Sequence, residues 1–377
     1  MLYLAIDQHA RQLTVNSRNE AGDVILRRQV STKPDQVRKF FAEFRERAAV
    51  EGGYMAILEV CGFNDWLLAM LKEFGCAEIV LVQNEHRLKN KTDHRDADHS
   101  GAALWMNRLR ILRGERLHDL RRIEPPSPAD AAARQLTTMR QRLGVQRTRA
   151  RNRIAGLLKK HNLQHDCPVK LLQTKTARAW LAKLELPAID RLEMDQLLTR
   201  WKLFDEQIAE VVEQINQRKQ THSGAALVST VPGLGGYGGL AIAARIGDIN
   251  RFSTPASLTN FFGLTPSCRN SGESGQRLGS ITKRGSTIVR FLLGQAVMHV
   301  LRRDPDLRAW YLGVKKRRGS KIARVAVMRR IAVAIWHMLK FNEPYRSGGS
   351  PARREAGKRS RGQREATASA VAARGAT

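Results

Sequence analysis

Four carboxylates early in the chain, Asp7, Glu59, Asp93 and Asp96, have types and spacing that suit metal chemistry. Asp7 ends the apolar run Leu2 to Ile6 and Glu59 ends Met55 to Leu58, so each stands where a strand leaves a core. Parallel neighbouring strands open their carboxyl ends on one crevice, where ligands of such sheets gather. Asp93 and Asp96 open a predicted helix three residues apart, about 60° around its axis, so both can face that crevice. Asp98 lies roughly 160° from Asp96 and is expected to point elsewhere. Converging carboxylates repel unless hard cations lie between them, and Mg²⁺ takes such oxygen ligands while keeping waters. Two ions about 4 Å apart can activate a nucleophile and stabilise the leaving oxygen of a phosphodiester. Each acid singly has a plainer reading as a helix cap or a complement to a helix dipole.

Hydroxyls beside basic residues form the second constellation. The segment Leu264-Thr265-Pro266-Ser267-Cys268-Arg269-Asn270-Ser271-Gly272-Glu273-Ser274-Gly275 is a Gly and Ser loop, followed by Arg277 and by Ile281-Thr282-Lys283-Arg284-Gly285. A serine becomes a nucleophile only when a base or metal eases loss of its proton, and spacing alone does not choose among Ser267, Ser271, Ser274 and Ser280. Val231-Pro232-Gly233-Leu234-Gly235-Gly236-Tyr237-Gly238 contains a G-x-G-x-x-G, but helix-like sequence on both sides replaces the strand that a dinucleotide site needs. A turn at Gly233 and Gly235 fits a helix-hairpin-helix better, with exposed amides that grip a phosphate. The run Lys315-Lys316-Arg317-Arg318 can track a nucleic-acid backbone along a helix, or can be a solvated face.

The elements that must position these groups follow from periodicity. The first ~110 residues read βββαβαβα, with the segment Thr32-Lys33-Pro34-Asp35 expected to open the first helix through a capping box. That order suits an RNase H-like (RuvC-like) α/β domain at 1–124, although an ordinary doubly wound domain shares much of it. Pro125-Pro126-Ser127-Pro128 breaks the chain, and 125–222 reads as a helical coiled-coil connector. Its seam runs Leu197, Trp201, Phe204, Ile208, Val211 and Ile215. An antiparallel hairpin with Leu136 to Leu157 and a dimer between chains both fit it. A mainly α, serine-bearing domain is expected at 223–345, and 346–377 as a disordered basic tail.

The 65 Lys and Arg against 35 Asp and Glu give a formal charge of +30, which calls for a polyanion; nucleic acid suits it better than a membrane surface. No apolar run approaches the ~20 residues that span a bilayer, and the start of the chain has no basic leader. Cys61, Cys76, Cys167 and Cys268 lack paired spacing, so they read as reduced thiols and a cytoplasmic setting. The pairs His161 and His165, and His94 and His99, lack the glutamate of a zinc motif.

Ala5-Ile6-Asp7, Leu58-Glu59-Val60-Cys61-Gly62 and Lys91-Thr92-Asp93-His94-Arg95-Asp96-Ala97 resemble the DEDD transposases of bacterial insertion sequences. These are relatives of the Piv DNA invertase whose elements encode a bridge RNA. Val231-Pro232-Gly233, Gly263-Leu264-Thr265-Pro266, Ser271-Gly272 and Ile281 to Gly285 extend the likeness. The resemblance implies that Asp7, Glu59, Asp93 and Asp96 hold Mg²⁺, that Ser271 attacks DNA through a covalent intermediate, and that a structured guide RNA reads target and donor sites in a dimer or tetramer. Many relatives show Ser-Ser-Gly where this chain has Asn270-Ser271-Gly272, which keeps Ser274 as a rival nucleophile. A hydrolytic RNase H-like nuclease, such as a junction resolvase, and a non-enzymatic DNA-bridging protein are the competing readings.

Overall fold

The computed structural model describes residues 1–83, 93–269 and 277–347, leaving aside the side chains of residues 93–96, 268, 269, 277 and 278. The chain divides into two compact units, Met1–Pro125 and Pro126–Thr377.

In the first unit, β1 (Leu2–Gln8), β2 (Gln12–Arg18) and β3 (Val24–Ser31) form an antiparallel meander, followed by α1 (Pro34–Val50), β4 (Tyr54–Glu59), α2 (Asp65–Glu73), β5 (Glu78–Val82) and α3 (Asp93–Leu112). The sheet order is β3-β2-β1-β4-β5, with β1, β4 and β5 parallel. This mixed sheet with helices on both faces is consistent with an RNase H-like domain. Alternation along each strand sorts the side chains into two cores. Leu2, Leu4, Ile6, Tyr54, Ala56 and Leu58 pack on α1 and α2, whereas Tyr3, Ala5, Met55 and Ile57 pack under Leu104 and Ile111 of α3.

The apolar face of α1 explains its span: Val37, Phe40, Phe41, Phe44 and Ala48 recur at helical spacing and are buried. Burying each such side chain contributes ~1.5–3 kcal/mol. Pro34 starts the helix, but the expected capping box is not formed. Lys33 is the cap without a side-chain bond, and the Thr32 hydroxyl donates to Ala10 O at 3.1 Å instead. The β1–β2 turn thus competes for the hydroxyl that local sequence assigned to the helix.

In the second unit, α4 (Pro128–Lys160), α5 (Lys175–Lys183) and α6 (Ala188–Thr221) precede α7 (Ser223–Ser229), α8 (Gly235–Ile246) and α9 (Pro255–Phe261). A two-stranded hairpin, β6 (Pro266–Arg269) and β7 (Arg277–Ile281), then leads into α10 (Thr287–Arg303), α11 (Pro305–Arg318) and α12 (Ser320–Phe341). The helices α4 and α6 run antiparallel within the chain, as Arg147–Asp205, Arg153–Glu193 and Lys160–Asp190 pairs record. Both are shared between two cores. Ala133, Leu143, Ile208, Val211 and Ile215 belong to the core around α8, α10 and α12; Ile154, Leu157, Met194 and Trp201 belong to a smaller one with Leu181 of α5. Among the described residues no helix is long and apolar enough to cross a membrane. From residue 348 the basic tail lies outside the described residues.

Candidate functional site

Asp7 and Glu59 come together through register. The last β1–β4 pair is Ile6 with Leu58, so the next positions on these parallel strands are Asp7 and Glu59. Since Tyr3 and Ala5 alternate onto the α3 side, and Met55 and Ile57 do likewise, both acids stand on the face that α3 covers. Glu59 is exposed, and Asp7 is one-fifth exposed with His9 Nε2 at 3.2 Å from its Oδ2. Opposite Asp7 in the antiparallel register is Thr14, buried, its hydroxyl without a hydrogen-bond partner among the described residues.

The path of α3 brings its first turn to the same edge. Trp105 Nε1 donates to Glu20 O at 3.0 Å, beside the start of β1, where Tyr3 hydroxyl donates to Glu20. Four residues earlier, Gly101 lies so close to Asn16 and Ala5 that a Cβ there would meet Asn16 Oδ1 at 2.7 Å. The helix therefore runs antiparallel to β1, with its amino end toward Asp7. From Gly101 back to Asp96 is five residues, about 7.5 Å of helix; from Ala5 on to Asp7 is two, about 6.7 Å of strand. The turn that carries Asp93 and Asp96 is level with Asp7, although the side chains of both lie outside the described ones. Among the described residues no group of three or more His, Cys, Asp or Glu is gathered closely enough to hold a metal.

Asp98 does point elsewhere, and the structure gives its destination. It accepts from the buried Asn16 amide and takes a fork from Arg27, whose Nε and Nη2 lie 3.1 and 2.9 Å from its two oxygens. Asn16 and Arg27 are register partners on β2 and β3, so this clamp pins α3 across the meander just behind its acidic turn. A second brace ties the strand ends. Buried Asn64 donates to Gln8 Oε1 at 2.8 Å and to Glu59 O at 3.2 Å, and Gln8 Nε2 reaches Phe63 O at 2.8 Å. Nothing in the local sequence marks Gln8, Asn16 or Asn64, or names the partners of Asp98, because these contacts join segments 53 to 82 residues apart.

The residues Ser271 and Ser274 fall between β6 and β7, outside the described residues. Ser267 Oγ is committed to Ser280 O at 3.0 Å. The base of the hairpin is tightly held: Thr282 N donates to Thr265 O and Lys283 N to Gly263 O, at 2.9 and 3.2 Å. A Cβ on Gly285 would stand 2.1 Å from Phe261 O, and Gly263 adopts φ +67°, which disfavours other residues. Arg290 Nη1 donates to Phe262 O and Gly285 O, and burial pushes its pKa down. The exposed Lys283 and Arg284 stand on this base, while Arg277 lies in β7 with its side chain undescribed.

Between α7 and α8, Gly233 and Gly235 are exposed and have φ +88° and +56°. Helix flanks the turn on both sides, and Leu234 caps α8 without a side-chain bond of its own. Lys315, Lys316, Arg317 and Arg318 form the exposed last turn of α11, which stops at Gly319.

Comparison with known proteins decides the family. A model of DEDD type described as Transposase matches residues 4–163, and the Transposase IS116/IS110/IS902 family model matches residues 225–312. The chain belongs to the IS110-type transposases. The first match spans the sheet, its acids and α4; the second runs from α7 through the serine hairpin into α11. Among family relatives, "Transposase for insertion sequence element IS1111A" of Coxiella burnetii is 27% identical over 78% of this chain and 79% of its own length. "Probable family 20 transposase" of Pseudomonas aeruginosa is 27% identical over 86% and 93%. An IS110 insertion-element protein of Streptomyces coelicolor is 24% identical over 87% and 91%.

Proposed function

We propose that this chain is the transposase of an insertion sequence, cutting and rejoining DNA by serine attack assisted by Mg²⁺. The observation that carries the reading is the meeting of Asp7 and Glu59 on one face of neighbouring strand ends, level with the helix turn that bears Asp93 and Asp96. Membership of a transposase family supports the reaction class.

An all-oxygen donor set of this kind suits a hard divalent cation, and beside Asp7 the buried Thr14 hydroxyl has no hydrogen-bond partner among the described residues. Asp7, Glu59, Asp93 and Asp96 would hold Mg²⁺, which when bound supplies Lewis-acid charge at a scissile phosphate. The Ser271 hydroxyl attacks phosphorus, forming a serine–phosphate ester as the bond to one DNA oxygen breaks. The proton lost by the serine is balanced by the one that the departing oxygen gains. Attack by a free DNA hydroxyl reverses the step and joins a new strand. Ser274 is the rival nucleophile.

Around this chemistry, the α7–α8 turn at Gly233 and Gly235 serves as a helix-hairpin-helix grip on phosphate. Arg277, Lys283, Arg284 and Lys315 to Arg318 serve as backbone contacts. The α4–α6 pair serves as a coiled-coil connector in a homo-oligomer, and a structured guide RNA selects the DNA sites. Full-length protein, incubated with element-end DNA, Mg²⁺ and RNA from the flanking non-coding region, should yield a covalent protein–DNA adduct on denaturing gels. Ser271→Ala should abolish the adduct and keep nucleic-acid binding. An adduct that persists in this variant removes Ser271 as nucleophile, and cleavage without any adduct would favour a hydrolytic nuclease.

A further inference from the structure

The α4–α6 pair carries more than a packing seam. Trp201 of α6 is buried, and two guanidinium groups lie over its ring, Arg178 of α5 at 4.2 Å and Arg151 of α4 at 5.4 Å from the centroid. One turn further along α6, Asp205 accepts from Arg147 Nη1 at 3.0 Å and Arg178 Nη2 at 2.5 Å. Arg151 donates to the neutral Gln173. Two of the three cations thus share one carboxylate, and the third has a neutral partner. Burial lowers the pKa of Arg151, and Arg147 and Arg178 push it the same way against Asp205. The Nε atoms of all three arginines are buried without hydrogen-bond partners among the described residues, so only the outer nitrogens can serve a ligand. Along α4 nine Lys and Arg stand against a single Asp.

We propose that Arg147, Arg151 and Arg178 form a phosphate-binding site on the α4–α6 hairpin that takes the sugar–phosphate backbone of a nucleic acid. Crowded, half-buried guanidiniums with too few carboxylates are stabilised by an anion, and their planar forks match phosphate oxygens. Stacking on Trp201 and the bridge through Asp205 hold the side chains in place beforehand, so the ligand does not bear that ordering cost. The backbone of DNA and that of RNA share this chemistry. The site involves neither Asp7 nor Glu59, so its failure and that of the strand-transfer reading are separable.

Binding of the full chain to a duplex DNA and to a hairpin RNA of arbitrary sequence, followed by fluorescence anisotropy across a salt series, tests the proposal. Arg151→Gln should weaken binding by roughly tenfold and reduce the salt slope by about one. Arg153→Gln removes the same formal charge from the same helix, but its arginine is already matched by Glu193, so it should do less. Arg151→Lys keeps the charge without the planar fork or the stacking on Trp201, and should recover only part of the binding that Arg151→Gln loses. Inorganic phosphate should raise the thermal midpoint of the wild type more than that of Arg151→Gln. An effect confined to DNA or to RNA assigns the source. Unchanged affinity and slope in Arg151→Gln, a loss no greater than in Arg153→Gln, or equal losses in the Gln and Lys variants would overturn the site.

Discussion

The two units gather charge of opposite sign, and each leaves it unbalanced in its own way. At the carboxyl edge of the sheet, two acids stand side by side and a helix turn with two more lies level with them. On the helical hairpin, two guanidiniums share one carboxylate and a third lies beside them over the Trp201 ring. The acids are placed by backbone, through strand register and a clamped helix. The arginines are fixed by side-chain contacts, with long stems that stack and fork. In the readings proposed above, a compact divalent ion would offset crowding among the acids, and a phosphate would offset crowding among flat, adaptable cations. A basic excess of +30 is therefore compatible with an acidic site, because the two imbalances lie in separate units.

The sharpest way to break this comparison is to neutralise the acids. Asp7→Asn and Glu59→Gln, each alone, should lower strand transfer by about 10²–10³-fold or more, as loss of an electrostatic element of a site does. Without Mg²⁺, their thermal midpoints should equal or exceed that of the wild type, because a like charge has gone; wild-type transfer rates in either variant would remove the acids from the chemistry. Asp98→Ala comes next. It strands Arg27 and the buried Asn16 amide, so urea unfolding should show a loss on the order of 1–3 kcal/mol. Mg²⁺ should then protect α3 amides from hydrogen exchange less than in the wild type, whereas equal protection would mean that the clamp does not set the acidic turn.

The smallest effect concerns pH. Burial pushes the Asp205 carboxyl up, but hydrogen bonds from Arg178 and Arg147 outweigh it and hold it below its ordinary value. A depressed carboxylate contributes stability that is present above the unfolded value and is lost as pH falls through the folded one. The wild type should therefore lose stability below about pH 4, and Asp205→Asn should lose less over that window. Parallel acid-denaturation curves for the two proteins would show that the bridge contributes little.

Much of the first unit was legible locally. Alternating and helical periods give the order βββαβαβα; Asp7 and Glu59 are marked by the ends of apolar runs, and Asp93 and Asp96 by the start of a helix. The same local rules failed at Thr32, whose hydroxyl bonds across to Ala10, and stopped short at Asp98, whose partners lie 71 and 82 residues away. Heptad spacing in α6 marked Trp201 as a core position. It gave no sign that Arg151 and Arg178 close over that ring, since they arrive on two other helices.

By itself the sequence determined which residues leave a strand or open a helix, and that the chain carries a large positive excess, because those properties depend on neighbours a few positions away. The tertiary structure decided which strand ends adjoin, that α3 reverses along β1, and which charges crowd together. Register, helix direction and side-chain convergence depend on packing between distant segments, and no local period encodes them.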